Sequence, residues 1–309
     1  MERLVTMFGG GGFLGRYVAQ ALFRTGVRVR IAQTNPGKAY TLKPLAGVGQ
    51  IQFARVDIRD RDRVREAVRG SSAVINLVGV LSGDFKGLHV DGARNIAEAA
   101  AATGAESLVH VSAIGADPAS ASAYGRSKGD GEAAVRAGFA DAAILRPSIL
   151  FGREDHFINR FATMMRVAPI VPVIAPRAKF QPIYVGDVAD AVVAALSGDA
   201  AGKTYELGGP QVLTMGELLR WIADATGRSP LFVDVPDVVA SALASGLGWA
   251  PGAPITKDQW LMLQHDNVVA PGASGLADLG VSATPLAAVT EGWLSAYRRN
   301  GRFAAKSPY

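Results

Sequence analysis

Short apolar runs alternate with amphipathic stretches through the first half of the chain. Apolar runs of this length predict buried strands, whereas apolar residues that recur every three or four positions predict helices. The predicted strands are Leu4–Phe8, Val27–Ala32, Ile51–Val56, Ala73–Val78, Ser107–Val111 and Ala142–Leu145. The predicted helices are Phe13–Thr25, Asp62–Arg69, Gly87–Thr103 and Tyr124–Ala137, and Gln33–Gly49 is predicted as a loop. Strands that alternate with helices pair in parallel, with helices on both faces of the sheet.

Beyond Pro147 the alternation becomes irregular. Helices are predicted over His156–Val167, over Met215–Thr226 and from a cap at Asp187 to Ser197, and strands over Phe180–Val185 and Thr204–Leu207. The stretch Ala168–Pro176 holds three prolines in nine residues and predicts irregular structure. The rest of the chain, to Tyr309, is predicted as helical segments broken by Pro and Gly.

These elements predict an α/β fold, a Rossmann-type doubly wound parallel sheet with a smaller, mainly helical C-terminal cap. The predicted NAD(P)-binding Rossmann domain covers residues 1–150, and 180–198 returns to it. The predicted cap, which would also bind partners, covers 151–179 and 199–309.

The composition fits a well-folded protein and excludes several kinds of site. The 309 residues are 49% hydrophobic and have a mean hydropathy of +0.18. The absence of cysteine excludes disulfides, zinc–thiolate sites and thiol nucleophiles. With four scattered histidines, no metal site is expected. The first strand begins at Leu4, which leaves no room for a signal peptide and predicts a cytoplasmic protein.

The positive charge does not indicate nucleic-acid binding, although the net charge is +5 and the pI is near 9.5. In the densest basic stretch, Arg55–Arg69, arginines alternate with acids, a pattern typical of a solvated helix face. Basic residues without neighbouring acids occur in the tail, at Arg298, Arg299, Arg302 and Lys306. No nucleic-acid partner is expected.

One uncharged stretch, Val238–Thr256, bears on membranes. It has nearly the length of a spanning helix, but Pro251 and Pro254 interrupt it. A packed or interfacial helix followed by a proline-rich loop is therefore expected rather than a transmembrane span. Peripheral contact with the inner face of a membrane follows as an expectation.

A glycine-rich turn follows the first strand and precedes the first helix. Gly9, Gly12 and Gly15 are spaced GxxGxxG. Glycine permits a tight reversal and the close approach of a pyrophosphate, and a helix N-terminus offers unpaired N–H groups and the positive end of its dipole. The alternative, a glycine turn that binds nothing, fits this strand–turn–helix context less well. The motif predicts a dinucleotide site.

Ser112, Tyr124 and Lys128 form a second candidate constellation. Ser112 follows the fifth strand, so its hydroxyl lies at the carboxyl edge of the sheet, where ligands bind in such folds. Tyr124 and Lys128 are spaced i and i+4 and therefore lie on one helix face. Because an ammonium stabilises a neighbouring phenolate, Tyr124 is expected to act as an acid or base nearer neutral pH.

These motifs resemble those of the extended and atypical short-chain dehydrogenases/reductases, a superfamily with a GxxGxxG turn, a serine after strand five and a YxxxK pair. The resemblance spans nearly the whole chain and implies catalytic roles for Ser112, Tyr124 and Lys128. The cofactor-binding residues that it implies are Gly9, Gly12, Phe13, Leu14, Gly15, Arg16, Gln33, Asp57, Ile58, Leu77, Val78, Gly79, Tyr124, Lys128, Pro147 and Ile149.

Parts of that set have specific counterparts in the superfamily. Asp57 and Ile58 resemble the pair that contacts the adenine ring. Pro147 and Ile149 belong to a segment similar to the one near the nicotinamide.

Several longer segments look like a narrower branch, the NAD(P)H-binding accessory subunits of respiratory complex I and their bacterial relatives. The similar segments are Phe8–Arg16, His110–Ala113, Leu150–Asp155, Gln181–Val185 and Ile255–Asp258. In that branch the nucleotide is thought to be held structurally rather than turned over. The resemblance implies an NADP(H)-binding protein with complex I subunits as partners and a role in the stability or assembly of a respiratory-chain complex.

Two positions depart from the superfamily pattern. His89 stands where the superfamily often has an asparagine that helps to arrange the catalytic hydroxyls and a water. The second strand ends at Gln33, without the acid that usually binds the ribose diol of NAD(H). Arg16 and Lys38 remain as partners for a 2′-phosphate. NADP(H) is therefore favoured as the cofactor, with NAD(H) as the alternative.

Two other functions fit the same residues. The first is a catalytically active NAD(P)H-dependent reductase, dehydrogenase or epimerase, for instance one linked to quinone metabolism. In it Tyr124 would act as acid or base, Lys128 would hold the ribose and Ser112 would orient a carbonyl. The second is a non-catalytic sensor of the nucleotide. The C-terminal region carries no motif that names a substrate.

Overall fold

The computed structural model describes residues 3–246, 248, 255–299 and 301. Pro251 and Pro254 of the uncharged stretch and the tail residues Arg302 and Lys306 lie outside the described residues. The chain divides into two compact units. The first comprises Met1–Pro147, Val185–Leu207 and Val269–Ser282, and the second comprises Ser148–Tyr184, Gly208–Val268 and Ala283–Tyr309.

The described residues form the following strands and helices. The strands are β1 (Leu4–Phe8), β2 (Arg28–Gln33), β3 (Ile51–Arg55), β4 (Ala73–Asn76), β5 (Ser107–Val111), β6 (Ala143–Pro147), β7 (Leu150–Phe151), β8 (Ile170–Ile174), β9 (Lys179–Phe180), β10 (Ile183–Tyr184), β11 (Thr204–Leu207), β12 (Leu213–Thr214) and β13 (Leu231–Val235). The α-helices are α1 (Phe13–Arg24), α2 (Arg61–Val68), α3 (Gly92–Ala102), α4 (Ala123–Gly138), α5 (Ile158–Val167), α6 (Val185–Ala194), α7 (Met215–Thr226), α8 (Asp237–Gly246), α9 (Lys257–Met262) and α10 (Leu286–Leu294).

The first unit is built on a seven-stranded sheet with the order β11-β6-β5-β4-β1-β2-β3. Every neighbouring pair is parallel, which confirms the predicted Rossmann-type sheet. The strand β1, which lies between β4 and β2, is buried along its whole length, as expected for a strand covered on both faces. Because the strands are parallel, the carboxyl ends of β1, β2, β4 and β5 meet at one edge of the sheet.

One large apolar core lies on a face of this sheet. Phe8, Val74 and Leu108 come from three strands and pack with residues of α2 and α3, such as Val64 and Ile96. All five side chains are at most 1% exposed. This core fixes the strand ends that carry the candidate site.

The strand β11 is the main difference from the predicted division of the chain. Its residues fall in the stretch 199–309 assigned to the cap, yet they pair in parallel with β6, with Tyr205 opposite Leu145. Two segments return to the first unit, Val185–Leu207 and Val269–Ser282, where the sequence predicts 180–198 alone.

In the described part of the second unit there are five α-helices, α5, α7, α8, α9 and α10, and three two-stranded ladders. Capping boxes begin two of its helices: Thr214 exchanges hydrogen bonds with Glu217 before α7, and Thr256 does so with Gln259 before α9. Asp155 accepts main-chain N–H groups ahead of α5, among them that of Phe157.

The prediction of irregular structure over Ala168–Pro176 is wrong. The strand β8 lies inside it and pairs in parallel with β13, which itself lies in a region predicted to be helical. Pro172 stands opposite Val233 in this ladder. A proline is tolerated in a two-stranded ladder because a strand there needs only one of its two edges for pairing.

Smaller differences concern element boundaries. The helix α6 begins at Val185, so Asp187 lies in its first turn and not at the N-cap position. The predicted loop after β2 contains a 3₁₀ helix, Pro36–Leu45, and the helix predicted from Gly87 opens with a π-helical turn, Lys86–Asp91. The strand predicted over Phe180–Val185 is interrupted between β9 and β10. Within the described part of the chain, no helix has the length and apolarity needed to cross a membrane.

Candidate nucleotide site

The glycine turn after β1 has the geometry of a phosphate-binding turn. Gly9 has a φ of +85°, and a Cβ there would lie 3.3 Å from the carbonyl carbon of Leu77. Gly12 donates its N–H to the Gly9 carbonyl over 3.1 Å and occupies the N-cap of α1 in extended conformation. A Cβ at Gly15 would lie 2.5 Å from the Gly9 carbonyl oxygen, so only glycine lets the helix pack this closely on the turn.

Gln33, the last residue of β2, contacts the same turn. Its Oε1 accepts the main-chain N–H of Gly11 over 2.7 Å, and its Nε2 donates to the carbonyl of Asn35. The position at which an NAD(H) enzyme usually has a ribose-binding acid is thus held by a neutral amide bonded to the glycine turn.

Basic side chains border this end of the sheet. Arg55 ends β3 and is paired in register with Gln33, so the two side chains project from the same face of the sheet. Arg55 and Lys38 are exposed. Arg16 is half-buried in the first turn of α1, and its buried Nε has no hydrogen-bond partner among the described residues. Lys43 lies over the ring of Tyr40, 4.2 Å from its centre.

Lys128 lies between the ends of β4 and β5. Its Nζ donates to the Val111 carbonyl over 3.2 Å, and it lies 3.3 Å from where a Cβ of Gly79 would be. The residue is only 4% exposed. Burial lowers the pKa of Lys128 to about 8, against a smaller opposing effect of the Glu132 carboxylate.

Tyr124 lies one turn before Lys128 on α4, as the sequence predicts. The expectation of a lowered pKa for Tyr124 is wrong: burial raises it to about 12. The cause is desolvation, which disfavours the phenolate.

Ser112 follows β5, also as predicted, and is 4% exposed. Its buried hydroxyl has no hydrogen-bond partner among the described residues. Two positions earlier, His110 is buried in the strand with its Nδ1 3.0 Å from Asn76 Nδ2. Burial, together with the charge of Lys128, lowers the pKa of His110 to about 3, so this ring is neutral.

His89 is bonded through both ring nitrogens. Its Nε2 accepts the N–H of Val80 over 2.9 Å, so the neutral ring carries its proton on Nδ1 and donates it to Ser127 Oγ over 2.8 Å. Ser127 Oγ in turn donates to the Tyr124 carbonyl over 2.8 Å. Burial and the Lys128 charge lower the pKa of His89 to about 4.

Five more of the predicted cofactor residues fall into three groups. Leu77 and Val78 follow β4 and lie against the glycine turn, and Phe13 and Leu14 open α1. Pro147 ends β6 and accepts the Ile114 N–H over 3.1 Å.

Three further predicted cofactor residues have other surroundings. Asp57 is paired with Arg59 at 2.7 Å, which lowers the pKa of its carboxyl, and Ile58 is buried in the apolar core. Ile149 lies in the second unit, where its N–H donates to the Asn267 side chain.

Sequence patterns missed Gly11, Arg55 and Ser127 as parts of this region. Arg55 is identified only through its register with β2, which no local pattern encodes. Ser127 lies three residues after Tyr124, a spacing that signals a shared helix face. Among the described residues, no group of three or more His, Asp or Glu side chains is placed to hold a metal ion.

Known proteins share extended sequence similarity with this chain. Residues 5–208 match the model of the NAD dependent epimerase/dehydratase family. The chain is 38% identical to the mitochondrial NADH dehydrogenase (ubiquinone) 1 alpha subcomplex subunit 9 of Rattus norvegicus, over 92% of its own length and 77% of that protein. It is 32% identical to the 40 kDa subunit of mitochondrial NADH-ubiquinone oxidoreductase of Neurospora crassa, over 96% of its own length and 80% of that protein.

A solved structure shows the same fold. The NADPH complex of an Escherichia coli quinone oxidoreductase aligns with a TM-score of 0.74 at 20% identity, over 92% of this chain and 97% of that one. Both resemblances inferred from the sequence are confirmed. The family match supports a nicotinamide nucleotide as the class of cofactor. The chain belongs to the NAD dependent epimerase/dehydratase family, and within it to the group that contains subunit 9 of the mitochondrial NADH dehydrogenase 1 alpha subcomplex.

Proposed function

We propose that this protein holds NADP(H), in preference to NAD(H), as a structural group and acts in the stability or assembly of a respiratory NADH dehydrogenase. It would do so as a partner of that complex at the membrane surface. The identity of 38% with subunit 9 over 92% of the chain supports the partner class. A nucleotide that binds only the folded state stabilises that state in proportion to its concentration and affinity.

The observation that carries the structural role is the geometry around Tyr124, whose half-buried ring packs edge-on against the His89 ring at 5.7 Å. General acid–base catalysis works best with a pKa near the working pH, whereas burial raises the pKa of Tyr124 to about 12. His89 engages both ring nitrogens in hydrogen bonds within the protein, which leaves neither for proton relay. These surroundings favour a nucleotide that is held over one that is turned over.

The preference for NADP(H) rests on charge at the end of β2. Gln33 replaces the acid that would repel a 2′-phosphate, and Arg55 projects from the same sheet face one strand away. Lys38 and the buried Nε of Arg16 supply further cationic groups near the turn. Guanidinium groups suit phosphate because they donate in a bidentate arrangement. When bound, NADP(H) would supply two phosphate groups to the glycine turn and a third to these cations.

One observation favours a second function, a reductase, dehydrogenase or epimerase. The Ser112 hydroxyl is buried at the carboxyl edge of the sheet without a partner among the described residues. A buried hydroxyl in that state is suited to donate to a substrate carbonyl. Lys128, with a pKa lowered to about 8, lies beside the same edge.

The deciding experiment identifies the bound nucleotide and asks whether it reacts. The protein is purified under native conditions, its nucleotide is extracted and identified by mass spectrometry, and the absorbance of the reduced form is followed with quinones, ketones and sugar nucleotides as oxidants. The structural role predicts bound NADP(H), no steady oxidation, and co-purification with NADH dehydrogenase subunits. A thermal melt with and without added NADPH measures the stabilisation.

The Tyr124→Phe variant separates the two functions. Steady oxidation by the native protein that Tyr124→Phe abolishes would overturn the structural role. Absence of steady oxidation in both proteins, with equal nucleotide content, would reject a reductase or dehydrogenase. An epimerase regenerates its cofactor in each cycle and would be rejected if the sugar nucleotides are also recovered unchanged. Purified protein that carries and binds no dinucleotide would reject both.

A further inference from the structure

His89 occupies a buried position between two segments of the candidate site. It lies in the π-helical turn Lys86–Asp91 and is 2% exposed. A π-helical turn in a helix is rare and is found frequently at functional sites. The ring offers a hydrogen-bond acceptor and a donor on opposite sides, and both are used.

The two partners of His89 belong to different elements. Val80, which donates to Nε2 over 2.9 Å, ends the segment after β4 that includes Leu77 and Gly79. Ser127, which accepts from Nδ1 over 2.8 Å, lies on α4 directly before Lys128. The His89 ring therefore joins the segment 77–80 to the helix that carries Tyr124 and Lys128.

The distances around Gly79 show how close this junction is. A Cβ at Gly79 would lie 3.3 Å from Lys128 Nζ and 4.0 Å from His89 Nε2. The imidazole of His89 and the ammonium of Lys128 thus both lie beside the main chain at Gly79. Any movement of the segment 77–80 away from α4 would change the surroundings of Lys128.

Aromatic packing fixes the orientation of the imidazole. The Phe85 ring stacks on it at 5.4 Å and 24°, and the Tyr124 ring meets it edge-on at 5.7 Å and 86°. Phe85 and Tyr124 also contact each other edge-on at 6.1 Å. The rings of Phe85 and Tyr124 thus hold the two nitrogens of His89 toward Val80 and Ser127.

We propose that His89 is a positioning residue for the nicotinamide half of the bound nucleotide. Its two hydrogen bonds hold the segment 77–80 against α4 and so keep Lys128 in place for the ribose and nicotinamide. The adenosine half is held elsewhere, at the glycine turn and Gln33, and does not depend on His89. This inference rests on the proposed nucleotide binding.

The test compares a whole nucleotide with its adenosine half. Dissociation constants for NADPH and for adenosine 2′,5′-bisphosphate are measured on nucleotide-free, full-length protein by calorimetry. Loss of two buried hydrogen bonds in His89→Leu is expected to weaken NADPH binding about tenfold or more. Binding of the bisphosphate should stay within about twofold of the native value because the glycine turn is unchanged. His89→Gln, which keeps an acceptor and a donor, should recover most of the NADPH affinity.

A smaller substitution and a matched control distinguish the loss of positioning from misfolding of the variant. Ser127→Ala removes only one end of the bridge and should weaken NADPH binding about threefold to tenfold, again without an effect on the bisphosphate. Ser71→Ala is the control: Ser71 is a buried serine, bonded to Thr6 at 2.7 Å, that lies at the amino end of β4. It should leave both affinities unchanged.

Two outcomes would overturn the inference alone. One is unchanged NADPH affinity in folded His89→Leu and Ser127→Ala; the other is an equal loss of affinity for both ligands, which would indicate general destabilisation. Native protein that binds neither ligand would overturn the proposed function and, with it, this role of His89.

Discussion

The main-chain N–H of Gly11 donates to the side-chain oxygen of Gln33 over 2.7 Å. This contact joins the glycine turn after β1 to the end of β2, the two segments that would bind the adenosine half of a dinucleotide. A neutral amide satisfies the turn without placing a negative charge beside the site of a 2′-phosphate. Under the proposed function, the contact would therefore link the shape of the turn to the preference for NADP(H) over NAD(H).

Gln33→Glu is expected to reverse that choice. A carboxylate at this position accepts from ribose hydroxyls and repels a 2′-phosphate, so NADPH affinity should fall at least about tenfold relative to NADH affinity. Calorimetric dissociation constants for both nucleotides give the ratio. Gln33→Leu removes the amide without adding charge and should weaken both nucleotides alike. An equal ratio in the two variants would contradict the electrostatic explanation.

Arg55→Ala tests whether the residue paired with Gln33 contacts the 2′-phosphate. Removal of a guanidinium–phosphate contact at a solvated site should weaken NADPH about fivefold to tenfold and leave NADH unchanged. The NADPH loss should shrink as salt is added, because salt screens exposed charges. Arg65→Ala removes another exposed arginine, from α2, and should have no effect. Equal losses for NADPH and NADH would place Arg55 outside the phosphate site.

The pairing of Gln33 with Arg55 shows which features of the site local sequence patterns can predict and which they cannot. Local spacing along the chain is enough to predict the glycine turn, Ser112 and the Tyr124–Lys128 pair. The structure brings them to one edge of the sheet. The neighbour of Gln33 depends on the register between β2 and β3, which is settled by packing of the whole sheet.

Similar non-local effects account for the predictions that failed. The strand β8 forms although it contains Pro172, because β13 pairs with one of its edges far along the chain. The i and i+4 spacing of Tyr124 and Lys128 suggests that the ammonium lowers the pKa of Tyr124. In the folded chain, burial disfavours the phenolate and raises that pKa instead. Lys128 donates instead to the Val111 carbonyl, a main-chain partner that side-chain patterns do not identify.

Gly15→Ala should destabilise the protein and abolish nucleotide binding. Its Cβ would lie 2.5 Å from the Gly9 carbonyl oxygen and 2.6 Å from Gly10 Cα, so α1 and the turn must move apart. Overpacking of this kind lowers the free energy of unfolding by about 1–3 kcal/mol. Urea denaturation and NADPH titration measure the two effects.

Gly26→Ala is the matched control for Gly15→Ala. Gly26 has a φ of +78° but no atom within 4 Å of the position of a Cβ. Its substitution should cost only the backbone strain, about 1–2 kcal/mol, and preserve NADPH binding. Retention of NADPH binding by Gly15→Ala would contradict the requirement for close packing at the turn.

Lys128→Met should remove a rise in stability with pH. Burial lowers the pKa of Lys128 from 10.5 to about 8, so between these values the unfolded chain binds the proton that the folded chain has lost. The free energy of unfolding of the nucleotide-free protein therefore increases as the pH is raised from about 8 toward 10.5, by up to about 3 kcal/mol from this group. Below pH 8 the buried charge lowers stability, so Lys128→Met should be at least as stable as the native protein there.

Urea denaturation of nucleotide-free protein at pH 7 and pH 10 measures this difference. Lys203→Met removes an exposed lysine from the same unit and should keep the native pH dependence. The difference between the two variants isolates Lys128 from other groups that titrate in this range. If Lys128→Met and the native protein gain stability in parallel, the ammonium is solvated in the folded state and the buried position of Lys128 beside Gly79 is contradicted.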